Sequence, residues 1–425
     1  MIQDAFSVLQ ERGFVQQCND LEGLRARLAE GPINYYVGFD PTRDSLHCGS
    51  LMPIMAMAHM QRAGHNPIAL IGGGTTMVGD PSGKTEMREL LSEQEIRVNG
   101  VGILGQLQRY LRLAAPDSSQ PAVASNPGGG RFLNNADWLL SLNYIAFLRD
   151  IGRYFRVNEM VRADAYRVRL EREEGLSFIE FNYQLLQAYD FLHLFENQAC
   201  LLQMGGDDQW SNMLAGTDLI RRKHARPAWC LTFPLLATAR GEKMGKTAAG
   251  AIWLDAAKTS PYEFFQYWVN TDDRDVARFL AYFTFLPMDE VRSLAAHEGA
   301  QLNASKQRLA FEVTALAHGR EAAEQAMAAA QAAFGGAGDL SALPHSSLPR
   351  DRFQTGVPLL DLLVQTGLAD SKSAARRLVA QGGAYLNDAV ISDPTLLLTA
   401  AMLDADGALM LRAGKKKYHR VIAEG

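Results

Sequence analysis

No two cysteines in this chain stand as Cys-x-x-Cys. The four present among 425 residues, Cys18, Cys48, Cys200 and Cys230, are scattered. That spacing excludes a disulfide framework and a thiolate zinc site, predicts no metal centre, and suits a reducing cytoplasmic compartment. No apolar run approaches the roughly 20 residues of a membrane span. The opening Met1-Ile2-Gln3-Asp4 lacks the basic start of a secretory leader. Positive charge is not in excess either. A net charge of -5 argues against indiscriminate coating of nucleic acid but leaves room for a local basic face. No internal repeat is visible. What is present is a chain 47% hydrophobic and 21% charged, the balance of a soluble protein with sizeable cores, long enough for two or three domains.

"INYYVGF" (Ile33 to Phe39) is β-branched and aromatic and stops at Asp40-Pro41, so it predicts a strand entering a turn. "LMPIMAMAHMQRAG" follows as an apolar helix, with Pro53 near its start and Gly64 at its end. "NPIALIGGG" reads as a buried parallel strand delivering a glycine loop. Together these make a βαβ unit, which predicts an α/β fold with a doubly wound parallel sheet. "ACLLQM" is a further strand that runs into Gly205-Gly206. The Pro/Ser/Gly stretch from Ala114 to Phe132 is expected to be an exposed insertion. Residues 259–335 read as helical, 336–356 as a flexible linker, and 357–425 as a small tail domain with a helix pair before "AYLND".

The chemistry concentrates in a few places. In "DPTRDSLHCGSLMPIM", Thr42 and His47 offer donors at the N-terminus of the expected helix, where free N–H groups and the dipole favour an anion. Gly49 lets a flat ligand approach the backbone. Taken alone, the segment is equally the start of a buried helix, and nothing marks Cys48 as a thiolate nucleophile. "GEKMGKT" (Gly241 to Thr247) carries two lysines three apart in a loop, able to place two ammonium groups on a polyphosphate or to be simple solvated surface.

As a pair, the histidine loop and the lysine loop resemble the HIGH and KMSKS motifs of class I aminoacyl-tRNA synthetases. The chain is similar nearly end to end to the bacterial tyrosyl-tRNA synthetases, through "YVGFDPT", "LHCGSL", "GDPSGK", "NNADW", "NYQLLQAYD", "GGDDQW" and "KMGKT" in that order. The resemblance implies a Rossmann-like catalytic domain over 1–258, an α-helical anticodon-side domain, and a tail like a small ribosomal-protein RNA-binding fold. It implies L-tyrosine, ATP with Mg²⁺, and tRNA(Tyr) as substrates. Tyr36 and Asp190 are then expected at the tyrosine phenol, Asp80, Tyr183 and Gln187 at its ammonium, and Gln203 and Gln209 lining the pocket. Thr75 and Asn135 match further positions of that pocket. On the nucleotide, the likeness implies Gly38, Asp40, Thr42, His47, Gly49, Gly205, Gly206, Asp208, Lys243, Met244 and Lys246. Thr42, His47, Ser50, Lys84, Arg88, Lys243 and Lys246 are expected to handle the departing phosphates.

Two residues depart from the family. Ser50 stands where a second histidine is usual, and Val37 where a cysteine is common. Each loss is expected to weaken ATP-side stabilisation by about 1 kcal/mol. Arg376, Arg377, Lys415, Lys416 and Lys417 are the expected RNA contacts of the tail. "YIAFLRDIGRYFRVNEM" (Tyr144 to Met160) resembles the family's dimer interface. Two other classes are open on sequence: a nucleotidyltransferase with a different acceptor, and a non-catalytic RNA-binding descendant of a synthetase. A tryptophan-specific relative suits the pair Tyr36 and Asp190 less well, because an indole N–H is only a donor.

Overall fold

A computed structural model describes residues 4–82, 91–114, 128–171, 176–241, 244–247, 250–335, 343–414 and 417–424. Lys84, Arg88, Lys243, Lys415 and Lys416 lie outside the described residues, as does the side chain of Lys246. The chain divides into two compact units, Met1–Thr259 with Val269–Ala317, and Ser260–Trp268 with His318–Gly425.

The first unit is built on six strands: β1 (Gln17–Cys18), β2 (Asn34–Phe39), β3 (Asn66–Ile71), β4 (Arg131–Asn134), β5 (Cys200–Gly206) and β6 (Trp229–Phe233). They lie in the order β1-β6-β5-β2-β3-β4. All neighbours are parallel except the antiparallel edge pair of β1 and β6. β3 and β6 are buried at every position, as parallel strands covered on both faces must be. From β2 the chain proceeds outward through β3 and β4, then returns to the other side of β2 with β5 and β6. The boundary between β2 and β5, where Tyr36 is in register with Gln203, is therefore the point at which the winding reverses. Crevices for ligands open there, at the carboxyl ends of the strands.

Three helices frame that point. Leu51–Arg62 is buried around nearly its whole circumference and is entered through a 3-10 turn at Cys48–Ser50, with Pro53 in its first turn, where no N–H is missed. Phe178–Gln198 begins with a capping box between Ser177 and Glu180. It packs Phe191 against Tyr36 at 5.5 Å between ring centroids, within a core that also holds Leu185, Leu192 and Cys200. Trp210–His224 lies alongside it. Beyond the sheet, the helix Val276–Phe283 is tied to the first hundred residues by buried Arg12, which donates to the carbonyls of Ala281, Thr284 and Leu286 at 2.8, 3.0 and 2.5 Å.

In the second unit, the helix Pro261–Val269 contributes residues through Trp268 and Arg320–Gly335 supplies a second helix. A five-stranded sheet follows, in the order Ala389–Val390, Ala384–Leu386, Ala408–Ala413, Lys417–Glu424, His345–Pro349. The helix pair Leu359–Gln365 and Lys372–Ala380 shares its core of Leu348, Phe353, Leu362, Val379, Leu411 and Val421.

Three sequence readings are corrected. The stretch 336–356 is not linker throughout. His345–Pro349 is a strand parallel to Lys417–Glu424, and Arg350–Thr355 is a helix whose Phe353 is fully buried. The stretch Ala114 to Phe132 likewise ends inside β4, whose Phe132 pairs with Ala69. The helical segment 259–335 does not stand apart as one body either, since residues 269–317 belong with the sheet unit.

Candidate active site

Asp190 sits on the inner face of the Phe178–Gln198 helix, 3% exposed. Its Oδ2 accepts from Asn135 Nδ2 at 2.8 Å and its Oδ1 from Trp138 Nε1 at 2.7 Å. Burial pushes the carboxyl up to about 7 against the pull of those two hydrogen bonds. Asn135 also donates to Thr75 Oγ1 at 3.0 Å and accepts from Gly74 N at 2.7 Å. The β3–β4 side of the sheet and its glycine loop are thereby fastened to the carboxylate. Tyr36, from β2, reaches the same place. Burial, and then the nearby Asp190, raise its phenol well above the ordinary tyrosine value. Among the described residues its buried hydroxyl has no hydrogen-bond partner, nor does Gln203 Oε1 on the neighbouring strand. A buried hydroxyl left in this state costs about 1–3 kcal/mol unless a ligand supplies the bond.

Five residues on from Thr75, Asp80 is buried, accepting Ser82 N at 2.9 Å and Gln209 Nε2 at 2.7 Å. Gln209 belongs to the 3-10 turn Asp207–Gln209 that follows Gly205 and Gly206 at the end of β5. Asp208 lies in the same turn, its Oδ2 3.5 Å from Gln209 Nε2. Tyr183 is buried and Gln187 half-buried on the helix that carries Asp190. The spacing of these three follows the helical period, which puts them on adjoining turns of one side. Gly72, after β3, permits a close passage: a Cβ there would lie 2.6 Å from both Asp40 Oδ1 and Thr75 Oγ1.

The histidine and lysine loops meet. His47 Nδ1 accepts from Gly49 N at 2.9 Å. Cys48 N donates to Ile252 O at 2.9 Å and Leu254 N to Leu46 O at 2.8 Å, so the segment after the lysine loop is laced onto the histidine loop. Lys246–Thr247 and Gly250–Ala251 form a small hairpin. Buried Met244 and Gly245 press on the same place, where a Cβ on Gly49 would lie 3.2 Å from the Met244 carbonyl oxygen. Ser50 begins the Leu51–Arg62 helix without a side-chain capping bond. Thr42, half-buried, donates its N–H to Asp40 O at 2.8 Å. Gly38 is exposed near the end of β2, and Val37 is buried within it.

Of the residues anticipated from sequence, Tyr36, Thr75, Asn135, Asp190 and Gln203 converge at the β2/β5 boundary. Asp80 with Gln209, and His47 with Gly49, Met244 and Gly245, form two further groups. Trp138 was not anticipated. The signal lies in its motif, "NNADW": a tryptophan three residues on from a buried amide is placed for a shared acceptor. Among the described residues, no three His, Cys, Asp or Glu side chains are grouped to hold a metal ion. No described helix is long and apolar enough to cross a membrane.

Comparison with known proteins identifies the family and the fold. The family model described as tRNA synthetases class I (W and Y) matches residues 28–335. The model for the C-terminal domain of SYY-like tyrosine–tRNA ligases matches residues 341–421. A tyrosine–tRNA ligase of Desulfosudis oleivorans is 52% identical over 98% of both chains, and one of Treponema denticola 51% identical over 98% of this chain and 99% of its own. Among solved structures, a C-terminally truncated mitochondrial tyrosyl-tRNA synthetase of Aspergillus nidulans aligns with a TM-score of 0.66 and 30% identity. That alignment covers 76% of this chain and 92% of the fungal one.

Proposed function

We propose, from the premise that the chain belongs to the class I tRNA synthetases of the tryptophan and tyrosine group, that it is a tyrosine–tRNA ligase working through the residues assembled at the β2/β5 boundary. The observation that carries the choice of amino acid is the buried Asp190 carboxylate beside a Tyr36 hydroxyl that lacks a partner among the described residues. A phenol needs both an acceptor and a donor, and these two groups supply one of each.

Tyrosine enters with its ring between β2 and the Phe178–Gln198 helix and its hydroxyl on Asp190 and Tyr36. Asp80, Tyr183 and Gln187 receive its ammonium group, and Gln203 and Gln209 line the slot. Its carboxylate attacks the α-phosphorus of ATP, a P–O bond forms to that oxygen, and pyrophosphate leaves with the electrons of the broken P–O bond. The nucleophile is already ionised at neutral pH, so no base is required and the rate comes from alignment and charge stabilisation. Asp208 and the backbone at Gly38, Gly205 and Gly206 hold the nucleoside, while Asp40, Thr42, His47, Gly49 and Met244 border the phosphates. Lys84, Arg88, Lys243 and Lys246 neutralise the departing charge, with Ser50 in a lesser part. Mg²⁺ arrives as part of the nucleotide substrate, held mainly by phosphate and water. The terminal ribose hydroxyl of tRNA(Tyr) then attacks the adenylate carbonyl and AMP leaves.

In the second unit, Arg376, Arg377 and Lys417 are exposed and, with Lys415 and Lys416, contact tRNA phosphates. The protein works as a homodimer in the cytosol. Support for the dimer comes from Leu140, Ile145 and Val157, which are 53%, 70% and 62% exposed in one stretch of chain, apolar surface suited to a second copy. Charging of tRNA(Tyr) with labelled tyrosine tests the reading. Binding of that tRNA with no release of AMP overturns it in favour of a non-catalytic RNA-binding protein.

A further inference from the structure

The loop that carries the two lysines is held at its root by the segment 272–278. β6 ends at Phe233, and the chain then runs through Leu236–Gly241 before reaching Met244. On one side this arm is closed by Met244 N donating to Leu236 O at 3.2 Å and Gly241 N to Thr238 O at 2.8 Å. On the other side it is gripped from the segment 272–278. Asp275 Oδ2 accepts Ala239 N at 2.9 Å. Arg278 donates to Ala237 O and is ion-paired with Asp275. Arg240 reaches Asp272 at 3.4 Å.

Asp275 is 1% exposed. A carboxylate that deep is costly unless engaged: Oδ2 takes one backbone N–H of the arm, and Oδ1, without a hydrogen bond among the described residues, is ion-paired with the guanidinium that also binds the arm. Val276, Phe279 and Phe283 are buried, and the helix they belong to packs on Leu51–Arg62, the helix that follows His47–Ser50. The helix whose first turn grips the arm leading to Met244 and Gly245 thus packs on the helix that follows the histidine loop.

We propose that Asp275 and Arg278 are positioning residues for nucleotide chemistry: by fixing the backbone at Ala237 and Ala239, they set how Met244 and Gly245 meet His47–Gly49. The inference rests on reading that junction as the ATP side of the active site. A displacement of the arm shifts the junction and costs transition-state alignment, with little effect on tyrosine, whose slot lies at β2 and β5.

Arg278→Lys keeps the charge beside Asp275 but loses the forked reach to Ala237, and Asp275→Asn keeps an acceptor for Ala239 while removing the charge that holds Arg278. In each full-length variant, with melting temperature checked against the parent, kcat for tyrosine-dependent pyrophosphate exchange is expected to fall about 10-fold and KM for tyrosine to stay within about twofold. Amide exchange of the 234–241 peptide is expected to quicken. In a Lys246→Ala background, Arg278→Lys should add less than about a twofold further loss, because both act at one junction. Effects that multiply in that background, or an unaltered kcat with unaltered amide exchange, overturn the proposal. If the parent protein shows no tyrosine-dependent exchange, the functional reading fails. The amide-exchange arm then decides by itself whether the clamp exists.

Discussion

Trp138 and Asp190 are joined by a 2.7 Å hydrogen bond from the indole Nε1 to Oδ1, and the same indole stacks on His193 at 4.2 Å between centroids. The stack fixes the ring and the ring fixes the carboxylate. Trp138→Phe keeps an aromatic surface on His193 and removes only the donor. A hydrogen bond to a charged group is worth about 1.5–3 kcal/mol, so KM for tyrosine is expected to rise about 10- to 150-fold, with KM for ATP little altered. Steady-state pyrophosphate exchange checks this, and an unchanged tyrosine KM would remove Trp138 from the site.

The Asp190 carboxyl is raised from an ordinary 3.8 to about 7 by burial. The folded protein therefore holds a proton that the unfolded chain has released between those values. Stability drawn from this group is full below about pH 4, declines as pH rises to about 7, and is flat above. Relative to Asp190→Asn, which does not titrate, the parent should lose on the order of 4 kcal/mol across that window. Denaturant melts of both proteins at pH 4, 5, 6, 7 and 8 measure it; parallel pH profiles would contradict the assignment. Because a phenol donates to the ionised form, tyrosine affinity should improve as pH rises through 7.

Gly245 has φ +81°, and a Cβ on it would lie 3.0 Å from Gly49 N and 3.2 Å from His47 Nδ1. Gly245→Ala meets both the left-handed backbone cost, about 1–2 kcal/mol, and that contact. The expected result is a fall of about 10-fold or more in kcat for pyrophosphate exchange, with tyrosine binding by fluorescence unchanged. Equal damage to tyrosine binding would mean that the two parts of the site are not separable.

Ser50 makes no capping bond, so replacing it disturbs no hydrogen bond of the helix start. Ser50→His is expected to raise kcat/KM for ATP by about fivefold, the worth of roughly 1 kcal/mol of added phosphate contact. An unchanged or lower value means that neighbouring groups already compensate.

Because His345–Pro349 pairs with Lys417–Glu424, a cut at residue 356 would split the small domain's sheet. Truncation after Gly335 removes that sheet whole. It should spare pyrophosphate exchange and lower aminoacylation of tRNA(Tyr) about 10-fold or more, as loss of several phosphate contacts requires. Equal loss in both assays would contradict the division of labour.

Much of this was legible before any coordinates. The strand of Tyr36 showed in its β-branched and aromatic run, the Leu51–Arg62 helix in Pro53 and Gly64, and the glycine loops in the residues that end β3 and β5. Asp190 stood out because a carboxylate between Ala188 and Phe191 must be satisfied in the interior. Other features left no local signal. β4 is four residues long and follows a Pro/Gly tract that masks it. "HSSLP" has little of a strand's composition and is one only because Lys417–Glu424 lies beside it. Asp275 and Arg278 look like any i,i+3 pair on a helix surface, and their partners at Ala237 and Ala239 are backbone groups about 40 positions away. Contacts to backbone atoms leave no residue type to read.

The most direct test is pyrophosphate exchange with each of the twenty amino acids, run on the parent and on Asp190→Ala. Exchange with tyrosine alone, lost in the variant while the protein remains folded, is the predicted result. Exchange driven by tryptophan or phenylalanine at a comparable rate, or tyrosine-driven exchange that survives loss of the Asp190 carboxylate, would contradict the account.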